Sequence, residues 1–210
     1  PGVIIESVEG WGAEVITLDA ALNSTGVAAA EVLKKSNADF GIAFNIKKGF
    51  RPGSGIGSSG ASAAGGAVAA NLLLKNKLPP RDIVACAAES ERVTSGSFHA
   101  DNVGPCVLGG FTVIRCYEPL ELKKITPPKN LGVVVVMPSF TVKTLDARTV
   151  IPKQVKLSDM IYEVGNASSL VLGMCSGDVD LIGKSMTDIV VEPSRSKLNP
   201  GLMDAKKAAI

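Results

Sequence analysis

The string Arg51-Pro-Gly-Ser-Gly-Ile-Gly-Ser-Ser-Gly-Ala-Ser62 constrains this chain more than any other segment. Gly53, Gly55 and Gly57 alternate with other residues, and Ser58 and Ser59 follow directly. Upstream, residues 40–46 read as a strand closed by Lys47-Lys48-Gly49. Downstream, an Ala-rich run reads as a helix ending near Lys75. Glycines between a strand and a helix let the backbone take φ > 0 and approach a ligand closely. The free N–H groups at the helix start attract an anion, and the macrodipole adds to that attraction. With two hydroxyls as further donors, the segment is expected to bind phosphate. A tight turn leading into a small-residue packing face is the plainer alternative, but it does not call for paired serines.

Three kinds of phosphate loop compete for this string. A Walker A loop ends in Gly-Lys-Ser/Thr, and no lysine stands there. Gly55, Gly57 and Gly60 match the dinucleotide fingerprint G-x-G-x-x-G, which also wants an acidic residue about 20 positions on, after a second strand. That region is Lys75-Asn76-Lys77, at the end of a helix. The third kind fits better. Residues 52–61 resemble the Pro-x-x-x-Gly-Leu-Gly-Ser-Ser-Ala-Ala loop of GHMP kinases, with one residue fewer between Pro52 and Gly55, Ile56 for Leu and Gly60 for the first Ala.

The rest of the chain supplies the setting. Residues 3–16 read as strand or loop, and Asn23-Ser24 can cap a helix through residues 27–33. Pro79-Pro80 open a helix over residues 82–93. Residues 95–110 are rich in Gly, Ser and Asn and are expected to be loop, with a strand over 111–116. Pro127-Pro128 is the expected domain boundary, dividing the chain into 1–127 and 128–210. Beyond it a strand is expected over 131–137 and helices over 144–150, 157–174 and 179–187. The mixture points to α+β or α/β.

Bulk properties exclude several functions. A net charge of +2 over 210 residues argues against nucleic acid or an anionic membrane as partner. No apolar run approaches the roughly 20 residues of a membrane span. Cys86, Cys106, Cys116 and Cys175 form no Cys-x-x-Cys pair and have a single histidine to join them, so a zinc site is not expected. All four sit in apolar stretches and are expected to be buried free thiols, which suits a reducing compartment.

A second dense cluster follows the glycine loop. The string His99-Ala-Asp-Asn102-Val-x-Pro-x-x-x-Gly-Gly-Phe, then Tyr117-Glu-Pro-Leu120, resembles homoserine kinases of plant and archaeal type. Alone, it would read as a loop whose Asp and Asn bond their own backbone. Thr144-Leu-Asp-Ala-Arg148 with Ile151-Pro152, and Val191-Glu-Pro-Ser-Arg195, resemble two further segments of that family.

The resemblance implies a two-domain α+β GHMP kinase fold. Its N-terminal domain contains a βαβ unit of left-handed crossover, against the usual rule, and its C-terminal domain is ferredoxin-like. It further implies that a Pro-x-x-Ser-x-Asn-x-Gly-x-Gly-Phe-Asp motif precedes Pro1 and a Gly-x-Ser-Gly-x-Gly-Pro loop follows Ile210. The implied reaction takes ATP and L-homoserine to ADP and O-phospho-L-homoserine, on the route to threonine. The implied cofactors are ATP and Mg²⁺. The expected location is the cytoplasm; a plastid enzyme whose transit segment has been removed would look the same. A homodimer is left open.

Implied roles follow residue by residue. The nucleotide would be held by Asn23, near adenine, and by Arg51, Pro52, Gly53, Ser54, Gly55, Ile56, Gly57, Ser58, Ser59, Gly60 and Ala61. Glu91 matches the magnesium-ligand glutamate, with Ser58 as its companion and Glu89 as its rival two residues away. Arg148 and Arg195 would grip the homoserine carboxylate in bidentate fashion. His99 and Asn102 would line the substrate. Thr144 would stand near the reacting hydroxyl, and Glu91, Ser59 and Thr144 would form the catalytic set. No aspartate stands out as general base; Asp101 is nearby but is not assigned that role. Other GHMP kinases acting on mevalonate or shikimate, and an ATP-binding chain without activity, remain alternatives.

Overall fold

The computed structural model describes residues 2–137, 147 and 149–209. The chain divides into two compact units between Lys124 and Ile125.

The first unit begins with β1 (Val3–Gly10), α1 (Ser24–Lys35) and β2 (Ile42–Lys48). The two strands pair in parallel, Val3 opposite Ile42 and Gly10 opposite Lys48, so a βαβ unit opens the fold. Next come α2 (Ser58–Leu73), α3 (Pro80–Ser95), α4 (Val103–Leu108), β3 (Phe111–Tyr117) and β4 (Leu120–Ile125). The last two strands form a separate sheet.

Alanine sets the character of this core. Ala28, Ala29, Ala63, Ala67, Ala70, Ala87 and Ala88 are buried together with Val32, Val84 and Val103. Small side chains let α1, α2 and α3 pack closely, and two glycines bring backbones closer still. A Cβ on Gly66 of α2 would lie 2.5 Å from the Thr25 carbonyl oxygen. One on Gly26 of α1 would lie 2.3 Å from that of Ala20. The N-terminal turn of α1 is thereby pinned against α2.

Several expectations shift. The second strand runs two residues later than the apolar pattern suggested, which brings Lys48 into the ladder. Residues 95–110 are not all loop: α4 forms inside them, seated by the fully buried Val103 and ended by Gly109 at φ 70°. β4 was not anticipated. All four cysteines are free, but only Cys86 is buried. Cys106 and Cys175 are exposed and Cys116 is half-buried, because apolar neighbours in sequence do not fix which way a side chain points.

The second unit carries α5 (Leu157–Ser176), α6 (Val179–Ser185), α7 (Glu192–Arg195) and α8 (Leu202–Ala209). The strand expected over 131–137 is not formed. Val133, Val134 and Val136 are 82%, 90% and 84% exposed. An apolar run becomes a strand only where a neighbour accepts its ladder bonds, and among the described residues none does. The helix expected over 144–150 falls largely outside the described residues. No described helix is long and apolar enough to cross a membrane.

Candidate functional site

The glycine loop takes the form its sequence demands. Gly53, Gly55 and Gly57 have φ of 73°, 80° and 79°, the left-handed region that L side chains avoid. Gly57 is the N-cap of α2 and offers no side chain to it. The first N–H groups of α2 therefore remain available to an external acceptor.

A second helix start opens beside the first. The Asn23 side-chain oxygen caps α1 by accepting from the N–H of Thr25 at 2.9 Å and of Gly26 at 3.4 Å. Its amide nitrogen donates to the Thr17 carbonyl at 2.8 Å. The Ser24 and Ser59 hydroxyls meet at 2.8 Å, and Thr25 Oγ1 donates to the Ser62 carbonyl at 3.1 Å. Both helix starts face a cavity of about 210 Å³. Val15, Ile16, Leu22 and Ile46 form its apolar wall, and Ser24, Ser58, Ser59 and Lys48 its polar one.

Lys48 is the residue that sequence reading missed. It is only 9% exposed. Its Nζ donates to the Ser58 carbonyl at 3.1 Å and to Ser62 Oγ at 2.6 Å, and lies 5.7 Å from the centre of the Phe50 ring. These partners are uncharged, and burial lowers its pKa from the usual 10.5. The signal was present in the sequence: with Ile42, Phe44 and Ile46 pointing inward, period two points Lys48 inward as well.

The expected site residues distribute as follows. Ser58 is buried with its hydroxyl 3.5 Å from the Phe50 carbonyl, so Ser59 is the serine whose hydroxyl reaches across the cavity. The Ser54 hydroxyl is shut off from solvent and has no partner among the described residues. Gly53 and Pro52 line the cavity, whereas Arg51, Gly55 and Ile56 are exposed on the loop. Ala61 follows in the first turn of α2, its N–H bonded to the Gly57 carbonyl at 2.9 Å.

The second signature comes up against the first. A Cβ on Gly60 would lie 2.7 Å from Asn102 Cβ, and one on Gly57 would lie 2.9 Å from Asn102 Oδ1. His99 Nε2 and Ser97 Oγ are 2.7 Å apart, and the Arg92 guanidinium sits 5.0 Å from the centre of the Phe98 ring. On α3, Glu89 is engaged by Arg92 at 2.8 Å, and Glu91 is half-buried one turn before the helix ends. Arg195, in the second unit, donates from Nε to the Ala147 carbonyl at 3.0 Å. Thr144 and Arg148 lie outside the described residues.

Magnesium fits the chemistry of these donors. A nucleotide-bound Mg²⁺ takes one or two protein oxygens and completes its octahedron with phosphate and water. Glu91 and a serine hydroxyl would supply such oxygens; among the described residues no group of three His, Cys, Asp or Glu forms a closed cage.

A glycine loop and two helix starts on one cavity, within an α+β unit, define a domain of the GHMP kinase type; the family model "GHMP kinases N terminal domain" matches residues 23–110. A homoserine kinase of Methanococcus maripaludis is 42% identical over 202 residues, covering 96% of this chain and 66% of its own. The counterpart from a second strain is 41% identical over 207 residues, covering 98% and 68%. The crystal structure of homoserine kinase from Cytophaga hutchinsonii superposes with a TM-score of 0.90 at 40% identity, over 99% of this chain and 66% of that one. The chain belongs to the homoserine kinase family, and it spans about two thirds of the length of these relatives.

Proposed function

We propose that this protein serves a homoserine kinase reaction: the γ-phosphoryl group of ATP passes to the hydroxyl of L-homoserine, giving ADP, O-phospho-L-homoserine and a proton. The observation that carries the reading is the convergence of two helix starts and the buried Lys48 on the cavity beside the glycine loop. Donors and positive potential from three elements meet where a polyphosphate would lie, and an apolar wall stands ready for a base. Phosphoryl transfer asks mainly for positioning and neutralisation of charge, which these groups supply.

In this reading the N–H groups of Ser58, Ser59 and Gly60 hold phosphate oxygens, and the Ser59 hydroxyl adds a donor. Glu91 and Ser58 or Ser59 would hold Mg²⁺, whose chemistry is to offset charge on the β- and γ-oxygens. Asn102 and His99 line the acceptor beside the loop. Arg195, with Thr144 and Arg148, belongs to the same proposal as carboxylate grip and hydroxyl contact. The proton leaves to phosphate or water, since no residue here is assigned as base. Its place would be the cytoplasm, where free thiols persist.

The test measures ADP release with Mg-ATP and L-homoserine, against mevalonate, shikimate and L-serine. Preference for homoserine supports the reading. Preference for another acceptor overturns the substrate while leaving the phosphate site. A folded protein that binds Mg-ATP and turns over none of the four overturns the activity.

A further inference from the structure

We infer that Ser24 is a positioning residue for the nucleotide's phosphates, acting through the hydroxyl of Ser59. The inference rests on the proposal that the cavity takes the phosphates of ATP. Ser24 is the first residue of α1, a place where a hydroxyl ordinarily serves the helix or solvent. Here the helix does not need it. Asn23 already supplies the cap, with its side-chain oxygen on Thr25 and Gly26. The Ser24 hydroxyl instead spans to a different helix and meets Ser59 Oγ at 2.8 Å.

Two further contacts support the span. Thr25, the next residue, is bonded to the Ser62 carbonyl, and Gly66 of α2 packs against the Thr25 backbone with no room for a Cβ. These contacts tie the two helix starts together where the hydroxyl pair lies on the cavity wall. Both serines are half-buried and both line the cavity.

The direction of the bond decides what Ser59 can do. Either oxygen could donate. A hydroxyl has one proton, and a phosphate oxygen only accepts. When phosphate lies against Ser59, the satisfied arrangement is Ser24 O–H donating to Ser59 Oγ and Ser59 O–H donating to the phosphate. A chain ordered this way polarises each link and fixes the Ser59 rotor. Without Ser24 the Ser59 hydroxyl keeps its proton but loses its orientation.

The experiment titrates Mg-ATP and adenosine into the protein by calorimetry, for wild type, Ser24→Ala, Ser24→Thr, Ser59→Ala and the double alanine variant. Ser24→Ala is expected to weaken Mg-ATP about fivefold, the scale of one modest hydrogen bond, and to leave adenosine unchanged. Ser24→Thr, which keeps the donor, is expected to return to within about twofold of wild type. In the Ser59→Ala background, Ser24→Ala is expected to add nothing. Unchanged Mg-ATP affinity in Ser24→Ala overturns the inference. So does a Ser24→Ala loss that persists without the Ser59 hydroxyl, and so does a parallel loss of adenosine, which would mark a merely structural role. Failure of the wild type to bind Mg-ATP at all overturns the phosphate reading beneath it, a result distinct from these.

Discussion

Asn102 stands over Gly60 so closely that a methyl group on Gly60 would lie 2.7 Å from Asn102 Cβ and 3.3 Å from its backbone carbon. The two residues come from segments 42 positions apart, the first turn of α2 and the entry to α4, and the missing side chain is what lets them meet.

Gly60→Ala should therefore push the α4 entry away from the glycine loop. The helical position itself favours alanine, so a gain in helix propensity of up to ~1 kcal/mol opposes an overpacking cost of about 1–3 kcal/mol. Net destabilisation is expected, together with a larger rise in KM for homoserine than for ATP, because Asn102 moves while the loop stays. Urea unfolding and steady-state kinetics check it. A variant as stable and as active as wild type would mean that Asn102 yields freely.

Lys48 carries a prediction with a sign. Burial lowers its pKa below 10.5. Above that lowered value the folded protein has released a proton that the unfolded chain still holds, so stability rises with pH until 10.5 is reached. Below the lowered value the cost of the buried ammonium is present in full. Lys48→Met lacks this dependence. The wild type should gain stability relative to the variant as pH climbs through the alkaline window, measured by urea unfolding. Lys48→Met should also weaken Mg-ATP by on the order of tenfold through loss of a charged donor. A constant stability difference across that window would mean the ammonium is not desolvated.

What could be read from the sequence was local. The glycine loop, the Asn23 cap and the Ala-rich α2 each declare themselves through neighbouring residues. The strand expected over 131–137 failed because pairing depends on a partner elsewhere. Lys48 was read as the end of a strand because its acceptors, the Ser58 carbonyl and the Ser62 hydroxyl, lie 10 and 14 residues on, in another element. Likewise, nothing near Gly60 in the sequence announces Asn102. The composition of 95–110 looked like loop, and only the burial of Val103 in the helical core explains α4.

Glu91 and Glu89 stand two positions apart on α3, and so on different faces of the helix. Arg92 binds the Glu89 carboxylate in a surface pair, a contact worth little to stability. Glu91→Gln should lower turnover on the order of 100-fold, as for loss of a charge-stabilising group at a transition state, and should raise the Mg²⁺ concentration needed for half-maximal rate. Glu89→Gln should change turnover less than about twofold, as expected of a substitution that touches only a surface pair. Rates measured across a Mg²⁺ titration decide it. The reverse pattern would move the magnesium ligand to Glu89.

Asn23 has two duties that one substitution can separate. Its oxygen caps α1, its nitrogen ties the Thr17 carbonyl, and the residue lines the cavity. Asn23→Ala removes both functions and should cost about 2 kcal/mol, one part cap and one part hydrogen bond. Asn23→Ser keeps a good cap and loses the amide, so it should fall only about 1 kcal/mol below wild type. If the amide also reaches the purine, adenosine affinity drops alike in both variants, although their stabilities differ. If adenosine affinity instead follows stability, falling in Asn23→Ala and holding in Asn23→Ser, then Asn23 shapes the pocket only by fixing the start of α1.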